Sequence, residues 1–455
     1  MDERGRARAG DAQRTTFDVV VPLRPGDHAT IIHCLSALLQ QTVKPQRLVL
    51  VDDGGARRDH ALNLAHEFAR ANGVELTGIA RRWSIGHVAT LKRQSRESGA
   101  DVLLVLSPCT VLESPDYLQA CLDALDGTVA VASACGRAAV LWPARRRQLE
   151  HLAPFVRWAA GDVYRDPLAA RGRLGRLQAW LAAAMLAHVA RLGLEVSDRA
   201  TMRACGGIAL PAGGAVAYRR RYLQDLFDRV EPVRGDDLGA WPEQVIARAF
   251  ATEGYRAVRV DGVTARMQPP PLSRLPRLAW SCMVGWLQAG YWFDPLLRSP
   301  LRAWRRIWPA GAGGHPHAAE RRVIEDAFRE PFGERITRLQ GRPLGRWLLA
   351  WTVLAVAVPV LAWVLVLLGR WPSLGLLALG EAVVAGVLTD RVAAPGTRRA
   401  ALLHAAVATP LRWGVALVAP VALLRVASGI WLDRRFRWRR PRPPGRSRGA
   451  SARQG

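Results

Sequence analysis

The sequence predicts an α/β fold, a doubly wound and mostly parallel sheet, followed by interfacial helices and C-terminal transmembrane helices. Two observations carry this. Short apolar, β-rich runs alternate with amphipathic stretches between Phe17 and Ala132, and an uncharged run of twenty-two residues, Trp347–Leu368, stands far downstream. Strands that are apolar throughout and separated by helices belong to a parallel sheet covered on both faces.

The strand candidates are Phe17–Leu23, Arg47–Asp52, Glu75–Ile79 and Val102–Leu106, and the helix candidates between them are His28–Gln41, Asp59–Asn72 and Gly86–Ser98. Ser114-Pro115 then reads as N-cap and first-turn proline of another helix. Ligands of such sheets bind at the carboxyl ends of the strands, where Asp52-Asp53-Gly54 and Ser107-Pro108-Cys109 both fall. Further on come a helix around Leu174–Leu192, the segment Gly213–Phe227, and a helix–strand pair, Pro242–Glu253 and Tyr255–Val260. From Pro269 to Pro309 Trp stands beside Arg, which suits a helix in a bilayer interface or an aromatic core strip. Ala310–His317 reads as a flexible linker.

Trp347–Leu368 meets the length of a bilayer core. Pro372–Leu388 is a second span interrupted by Glu381, and Ala400–Leu432 is apolar but broken by Pro410, Arg412, Pro420 and Arg425. That last segment reads as one span with an interfacial helix or as a re-entrant pair. Arg391, Arg398, Arg399 and the basic tail after Asp433 place these loops, and the N-terminal α/β region, in the cytoplasm by the positive-inside rule. Met1–Thr16 is polar and lacks the apolar centre of a secretory signal. The expected location is the inner (plasma) membrane, multi-pass. The expected division is a disordered terminus over 1–16, an α/β domain over 17–268, interfacial helices and a linker over 269–346, a transmembrane region over 347–432 and a basic tail over 433–455.

The formal charge is +26, yet Lys44 and Lys92 are the only lysines, and the arginines come with no helix-turn-helix, zinc-finger or RNA-binding signature. Nucleic acid is therefore not the expected partner; an anionic membrane surface or a diphosphate suits the sign better. Cys34, Cys109, Cys121, Cys135, Cys205 and Cys282 form no C-x-x-C pair, and no histidines have zinc-ligand spacing, so no protein metal site is expected.

The stretch Ser36–Asp59 (SALLQQTVKPQRLVLVDDGGARRD) resembles the opening of the family 2 glycosyltransferases of GT-A fold, with Gln41-Thr42 and Asp52-Asp53-Gly54-Gly55 in the places of Gln-Thr and Asp-Asp-Gly-Ser. A carboxylate at a strand's end can accept the imide N–H of a uracil; taken alone, Asp-Asp-Gly also reads as an Asx-turn. Ile85–Leu118 resembles the segment that leads into the family's metal-binding Asp-x-Asp, keeping Gly86, Ala89, Leu91 and Thr110–Glu113. At the motif itself stand Ser107-Pro108-Cys109. Gly235-Asp236-Asp237-Leu238, followed by Arg248 and Glu253–Val260, resembles the Glu-Asp segment with its Gly-Tyr-Arg-Val. Gly213–Leu223 resembles the small-residue and Arg-Arg segment lining the acceptor side. Trp280–Val284 stands at the place expected for Gln-x-x-Arg-Trp, without the Gln or Arg.

The resemblance implies inverting transfer of a sugar from a nucleotide-diphosphate sugar to a membrane lipid or glycan acceptor. It implies Pro22, Asp52, Asp53 and Arg82 at the nucleotide, Asp237 as general base and Asp236 as its partner. As plain structure, Asp236-Asp237 would be the acidic start of the helix near Pro242. The family's cation is Mg2+ or Mn2+, which needs hard oxygen ligands to neutralise the diphosphate. Ser107 and Cys109 supply poor ones, so metal binding is expected to be weak, with Arg81 and Arg82 as substitutes or as ordinary surface arginines. A scaffold or binding subunit that has lost transfer is the competing reading.

Overall fold

The structure is a computed structural model that describes residues 15–23, 27–53, 60–162, 164, 166–169, 172–211, 214–235, 238–293, 296, 342–393, 395–416 and 418–431. Four parallel strands come first: β1 (Phe17–Leu23), β2 (Arg47–Asp52), β3 (Thr77–Ala80) and β4 (Val102–Leu106), joined by α1 (Ile31–Leu39), α2 (Ala61–Asn72) and α3 (His87–Glu97). All seven residues of β1 are buried, because both faces are covered. Val19, Val21 and Leu23 face the layer that holds Ile31, Leu35 and Phe68, whereas Val20, Val49 and Val51 face the opposite layer with Val88, Leu91 and Phe250. Two-residue alternation between two apolar layers explains why the run reads as continuously apolar.

Four more strands complete one sheet: β5 (Thr110–Leu112), β6 (Val131–Val140), β7 (Ala215–Arg219) and β8 (Arg256–Met267), in the order β3-β2-β1-β4-β7-β6-β8-β5. β7 runs antiparallel to β4 and to β6, so the sheet is mixed beyond β4. β6 carries no strand signal in the sequence because Gly136 interrupts it. A Cβ at Gly136 would overlap the Tyr117 ring, and the Gly136 N–H donates to Tyr117 Oη at 2.8 Å. Tyr117 Oη in turn donates to Ala215 O at 2.8 Å, and burial pushes this phenol well above its usual pKa.

One helix start differs from expectation. α4 (Tyr117–Asp126) begins with Asp116 at the cap position and no side-chain cap, so Ser114 is not its N-cap. Ser114 Oγ instead accepts the Thr264 N–H at 3.0 Å, tying the β5–α4 turn to β8. A buried strand N–H without a partner would cost more than a helix cap contributes.

The remaining helices are α5 (Pro143–Leu149), α6 (Ala153–Ala159), α7 (Gly172–Val189), α8 (Ser197–Cys205), α9 (Arg220–Arg234), α10 (Pro242–Thr252) and α11 (Leu275–Trp292). Then come α12 (Arg342–Leu367), α13 (Trp371–Val392), α14 (Arg398–Ala416) and α15 (Val418–Trp431). In the Trp-rich stretch α11 packs on the apolar helices: Val284 is buried with Ala422 and Val426 of α15, and Trp286 Nε1 donates to Thr352 Oγ1 of α12 at 2.5 Å. The expected linker Ala310–His317 lies outside the described residues.

Among the described residues three helices are long and apolar enough to cross a membrane: Gly172–Cys205, Leu344–Leu367 and Trp371–Val392. α14 and α15 add a broken pair bent by 45°. α12 and α13 leave most of their apolar surface open, 12% and 11% of their most apolar windows being buried. Gly172–Cys205 differs. Nearly half of its window, 47%, is buried, and both flanks are tied to the α/β body, Asp166 by an ion pair to Arg146 of α5 and Ile208 N–H to Ala257 O of β8 at 2.7 Å. Its α7 part lies along α14, and Ala190–Val196 winds as a π-helix before α8.

Candidate functional site

The carboxyl ends of β1, β2, β3 and β4 share one edge: Leu23 pairs with Asp52, Asp52 with Ala80, and Val20 with Val105, which puts Ser107 just beyond the same edge. Asp52 and Ser107–Cys109 therefore flank one crevice, where the strand order reverses between β1 and β4. Pro22 lies buried in β1 opposite Val51. Asp52 closes β2, 6% exposed, and its carbonyl accepts the Arg81 N–H at 3.0 Å.

Asp53 is held differently from its expected role as a ligand group. Its carboxylate accepts the Arg81 guanidinium at 3.2 Å, Ser84 Oγ at 2.9 Å, Ile85 N–H at 2.9 Å and Gly86 N–H at 2.8 Å. Four donors from residues 81–86 make it the organiser of the β3–α3 loop. Arg81 is spent on this arrangement, since Nη1 also donates to Thr90 Oγ1 at 2.7 Å. It is thus not a free cation for a diphosphate. Arg82 is exposed, its guanidinium 5.4 Å over the ring of Trp83, itself 53% exposed. Trp83 passed unnoticed in the sequence because an isolated surface Trp has no motif; only the pinned loop shows that it stands at the crevice.

The Ser107–Cys109 turn lies across the crevice. Ser107 Oγ and Cys109 Sγ face each other at 3.1 Å, the Ser107 N–H donates to Gly214 O at 2.6 Å, and the Gln268 N–H donates to Cys109 O at 2.8 Å. The Cys34 thiol, fully buried on α1, donates to Ser107 O at 3.7 Å, and burial pushes it far above the ordinary thiol range. Gly214 has φ +71°, and a Cβ there would overlap Thr110 Oγ1 and stand 3.2 Å from Ser107 Cβ. A hydroxyl and a thiol bound to each other do not suit a hard divalent cation. Among the described residues no three His, Cys, Asp or Glu side chains converge where a metal ion could sit.

The Gly213–Leu223 segment divides. Gly214 presses on the turn, but β7 is antiparallel to β4 and carries Arg219 and Arg220 to the opposite edge of the sheet. There Arg219 Nε donates to Val131 O at 2.9 Å and Arg220 Nε to Ala100 O at 2.6 Å. The Arg-Arg pair, expected on the acceptor side, instead satisfies backbone carbonyls.

Asp236 and Asp237 lie outside the described residues. Their flanks are described: Gly235 ends α9, and Leu238 is buried in the core. α10 starts with Trp241 at its cap position and no side-chain cap. His87 Nε2 lies 3.6 Å from Glu243 Oε1, which brings the start of α10 beside the start of α3, at the crevice. Gln288 Oε1 accepts the Ala240 N–H at 3.1 Å, and a Cβ at Gly239 would stand 3.3 Å from the Trp292 ring. Gln288 and Trp292 therefore stand against the chain that follows Asp237, and with Tyr291 they have the Gln and Trp spacing of the Gln-x-x-Arg-Trp pattern. Allowing one substitution in the pattern would have found them.

Arg248, fully buried on α10, donates Nη1 to Trp286 O at 3.1 Å and stacks 4.8 Å over the Trp286 ring. Burial pulls its pKa down to about 9.

The sequence matches no protein-family model and no curated protein. Among solved structures the chain is similar to the mannosyltransferase PcManGT from Pyrobaculum calidifontis in complex with GDP-Man and Mn2+, at 16% identity over 88% of each chain and a TM-score of 0.41. It is also similar to GalNAc-T7 with UDP, GalNAc and Mn2+, at 12% identity over 71% of this chain and 57% of the other, with a TM-score of 0.38. A third likeness is to glucosyl-3-phosphoglycerate synthase from Mycobacterium tuberculosis in complex with phosphoglyceric acid, at 16% identity over 63% of this chain and 83% of the other, with a TM-score of 0.31.

Proposed function

We propose that the chain is a membrane-anchored glycosyltransferase of GT-A type and family 2, transferring a sugar with inversion from a nucleotide-diphosphate sugar to a membrane lipid or glycan acceptor. The observation that carries this is the shared carboxyl edge, where Asp52, the loop pinned by Asp53 and the Ser107–Cys109 turn enclose one crevice. Asp52 takes the nucleobase, Asp53 positions the loop bearing Arg82 and Trp83, and the sugar lies toward the turn. Asp237, partnered by Asp236, accepts the proton of the acceptor hydroxyl. That oxygen attacks the anomeric carbon as the bond to the diphosphate breaks, and the nucleoside diphosphate leaves with the electron pair.

A divalent cation would supply neutralisation of the leaving diphosphate, but the groups at the turn do not suit one, and no step is assigned to it. The catalytic domain, 17–268, faces the cytoplasm at the inner membrane, anchored by α12 and α13. A second reading, a scaffold that has lost transfer, draws on one observation: the Ser107–Cys109 pair offers no carboxylate. Donor hydrolysis by the full-length protein against a panel of nucleotide sugars, with and without Mn2+, separates the two. Turnover of one donor supports the transferase; binding without turnover of any supports the scaffold.

A further inference from the structure

The loop over residues 81–86 is held at both ends and still leaves a large aromatic side chain in solvent. At its start the Arg81 N–H donates to Asp52 O at 3.0 Å, which carries the pairing of Asp52 with Ala80 one step past β3. At its end Ser84 Oγ, Ile85 N–H and Gly86 N–H donate to the Asp53 carboxylate at 2.9, 2.9 and 2.8 Å. Trp83 lies between these two anchors and is 53% exposed. A lone surface tryptophan needs no explanation. A half-exposed indole on a fixed loop, directly beyond the strand pair that ends at Asp52, is placed for contact with a ligand.

The neighbours of Trp83 narrow the class of ligand. The exposed Arg82 places its guanidinium carbon 5.4 Å from the centroid of the indole, so a cation and a flat π-surface are presented together. Asp52 adds a carboxylate beside the start of the loop. A nucleotide carries the three complements: a planar base for the ring, phosphates for the cation and, in uracil or guanine, a ring N–H for the carboxylate. The sheet order β3-β2-β1-β4 sets this loop three strand spacings from the Ser107–Cys109 turn, about 14 Å at about 4.8 Å each. The base and the transferred sugar thus have separate ends of the edge, and Trp83 stands at the base end.

We propose that Trp83 is the stacking platform for the donor's nucleobase. The proposal deepens the transferase reading above and rests on it: Asp52 takes the edge of the base, Trp83 takes its face, and Arg82 lies beside them toward the phosphates. The four donors gathered by Asp53 then have a purpose in binding. A platform fixed before the ligand arrives spares the cost of ordering a loop around it.

The test is calorimetric titration of the full-length protein with UDP and with GDP. Trp83→Ala should weaken binding of the nucleotide that the native protein takes by about tenfold or more, the usual scale for one base on one aromatic ring. Trp83→Phe should restore most of it, and the melting temperature of both variants should stay near native because the side chain is half exposed. Hydroxyl-radical labelling of the native protein reads the same contact without a substitution: saturating nucleotide should shield Trp83. Native affinity in Trp83→Ala, or equal labelling of Trp83 with and without nucleotide, would overturn the platform and leave the transferase reading standing. So would a Trp83→Ala variant that binds nucleotide normally and loses affinity only for the acceptor, which would move the indole to the acceptor's side. Binding of neither nucleotide by the native protein would refute the nucleotide-sugar reading itself, and the platform with it.

Discussion

The two sides of the crevice are built from different materials. On the β2–β3 side one carboxylate, Asp53, gathers four donors from residues 81–86 and fixes a loop that presents Arg82 and Trp83. On the β4–β5 side the turn is held through its backbone, by Gly214, Gln268 and Cys34, while its side chains offer a hydroxyl and a thiol. The first side keeps charge in place; the second keeps shape and has no charge to keep. Charge placement and backbone shape are therefore set independently in one fold, and each side can be perturbed by itself.

The largest effect is expected at Asp237. Asp237→Asn removes the proposed base and keeps its shape, so transfer should fall about a hundredfold or more while nucleotide affinity stays near native. Transfer rate, nucleotide affinity and melting temperature measured on one preparation decide it. Native transfer would remove Asp237 from the mechanism and leave the scaffold reading.

Next comes the acid response of the helix beneath the Ser107 turn. His33, 1% exposed on α1, has its pKa lowered to about 4 by burial and then by Arg146, with Asp166 opposing and Glu150 Oε1 3.7 Å from Nε2. A base with a depressed folded pKa contributes stability above its unfolded value near 6.5, and that stability is lost as pH falls toward 4. About 3 kcal/mol is at stake. Urea midpoints between pH 7 and 4.5 should fall steeply for the native chain and less for His33→Phe; parallel curves would show that His33 does not govern acid stability.

Gly214→Ala tests whether shape alone holds the second side. At φ +71° and against Thr110 Oγ1, the added methyl should cost about 2 kcal/mol through strain and displacement of the turn. Thermal denaturation reads the cost, and an unchanged midpoint would show that the turn yields freely.

Asp53→Asn probes the first side with a smaller global effect, about 1–2 kcal/mol. Its local signature is larger: amide exchange over residues 81–86 should quicken and nucleotide binding weaken. Exchange at the native rate would mean that the loop does not depend on the carboxylate. The smallest expected change is a gain. Ser107→Asp with Cys109→Asp places two hard ligands at the turn and should confer measurable Mn2+ binding by calorimetry; tight Mn2+ binding by the native chain would show that ligands exist elsewhere.

Much of the first half of the sheet was legible, because β1, β2 and β4 are continuously apolar and the helices between them keep their periodicity. β6 was hidden by Gly136, whose place in a strand depends on Tyr117, nineteen positions away. The Arg219-Arg220 pair was misplaced because a motif gives spacing and not strand direction. Once β7 runs antiparallel to β4, both arginines fall at the far edge.

The sequence by itself determined the alternation that makes a doubly wound sheet, the residues at the ends of β2 and β4, the hydroxyl and thiol at Ser107 and Cys109, and the apolar length of α12 and α13. These are local properties, set by periodicity and side-chain chemistry within a few residues. Tertiary structure alone decided that Asp53 is consumed by its own loop, that Gln288 and Trp292 stand against the chain after Asp237, and that α7 lies along α14 rather than within the sheet. Each of those is a contact between segments far apart in the chain. Its energy depends on which donors and apolar faces remain unsatisfied after the local elements have formed, and that remainder is fixed only when the whole fold closes.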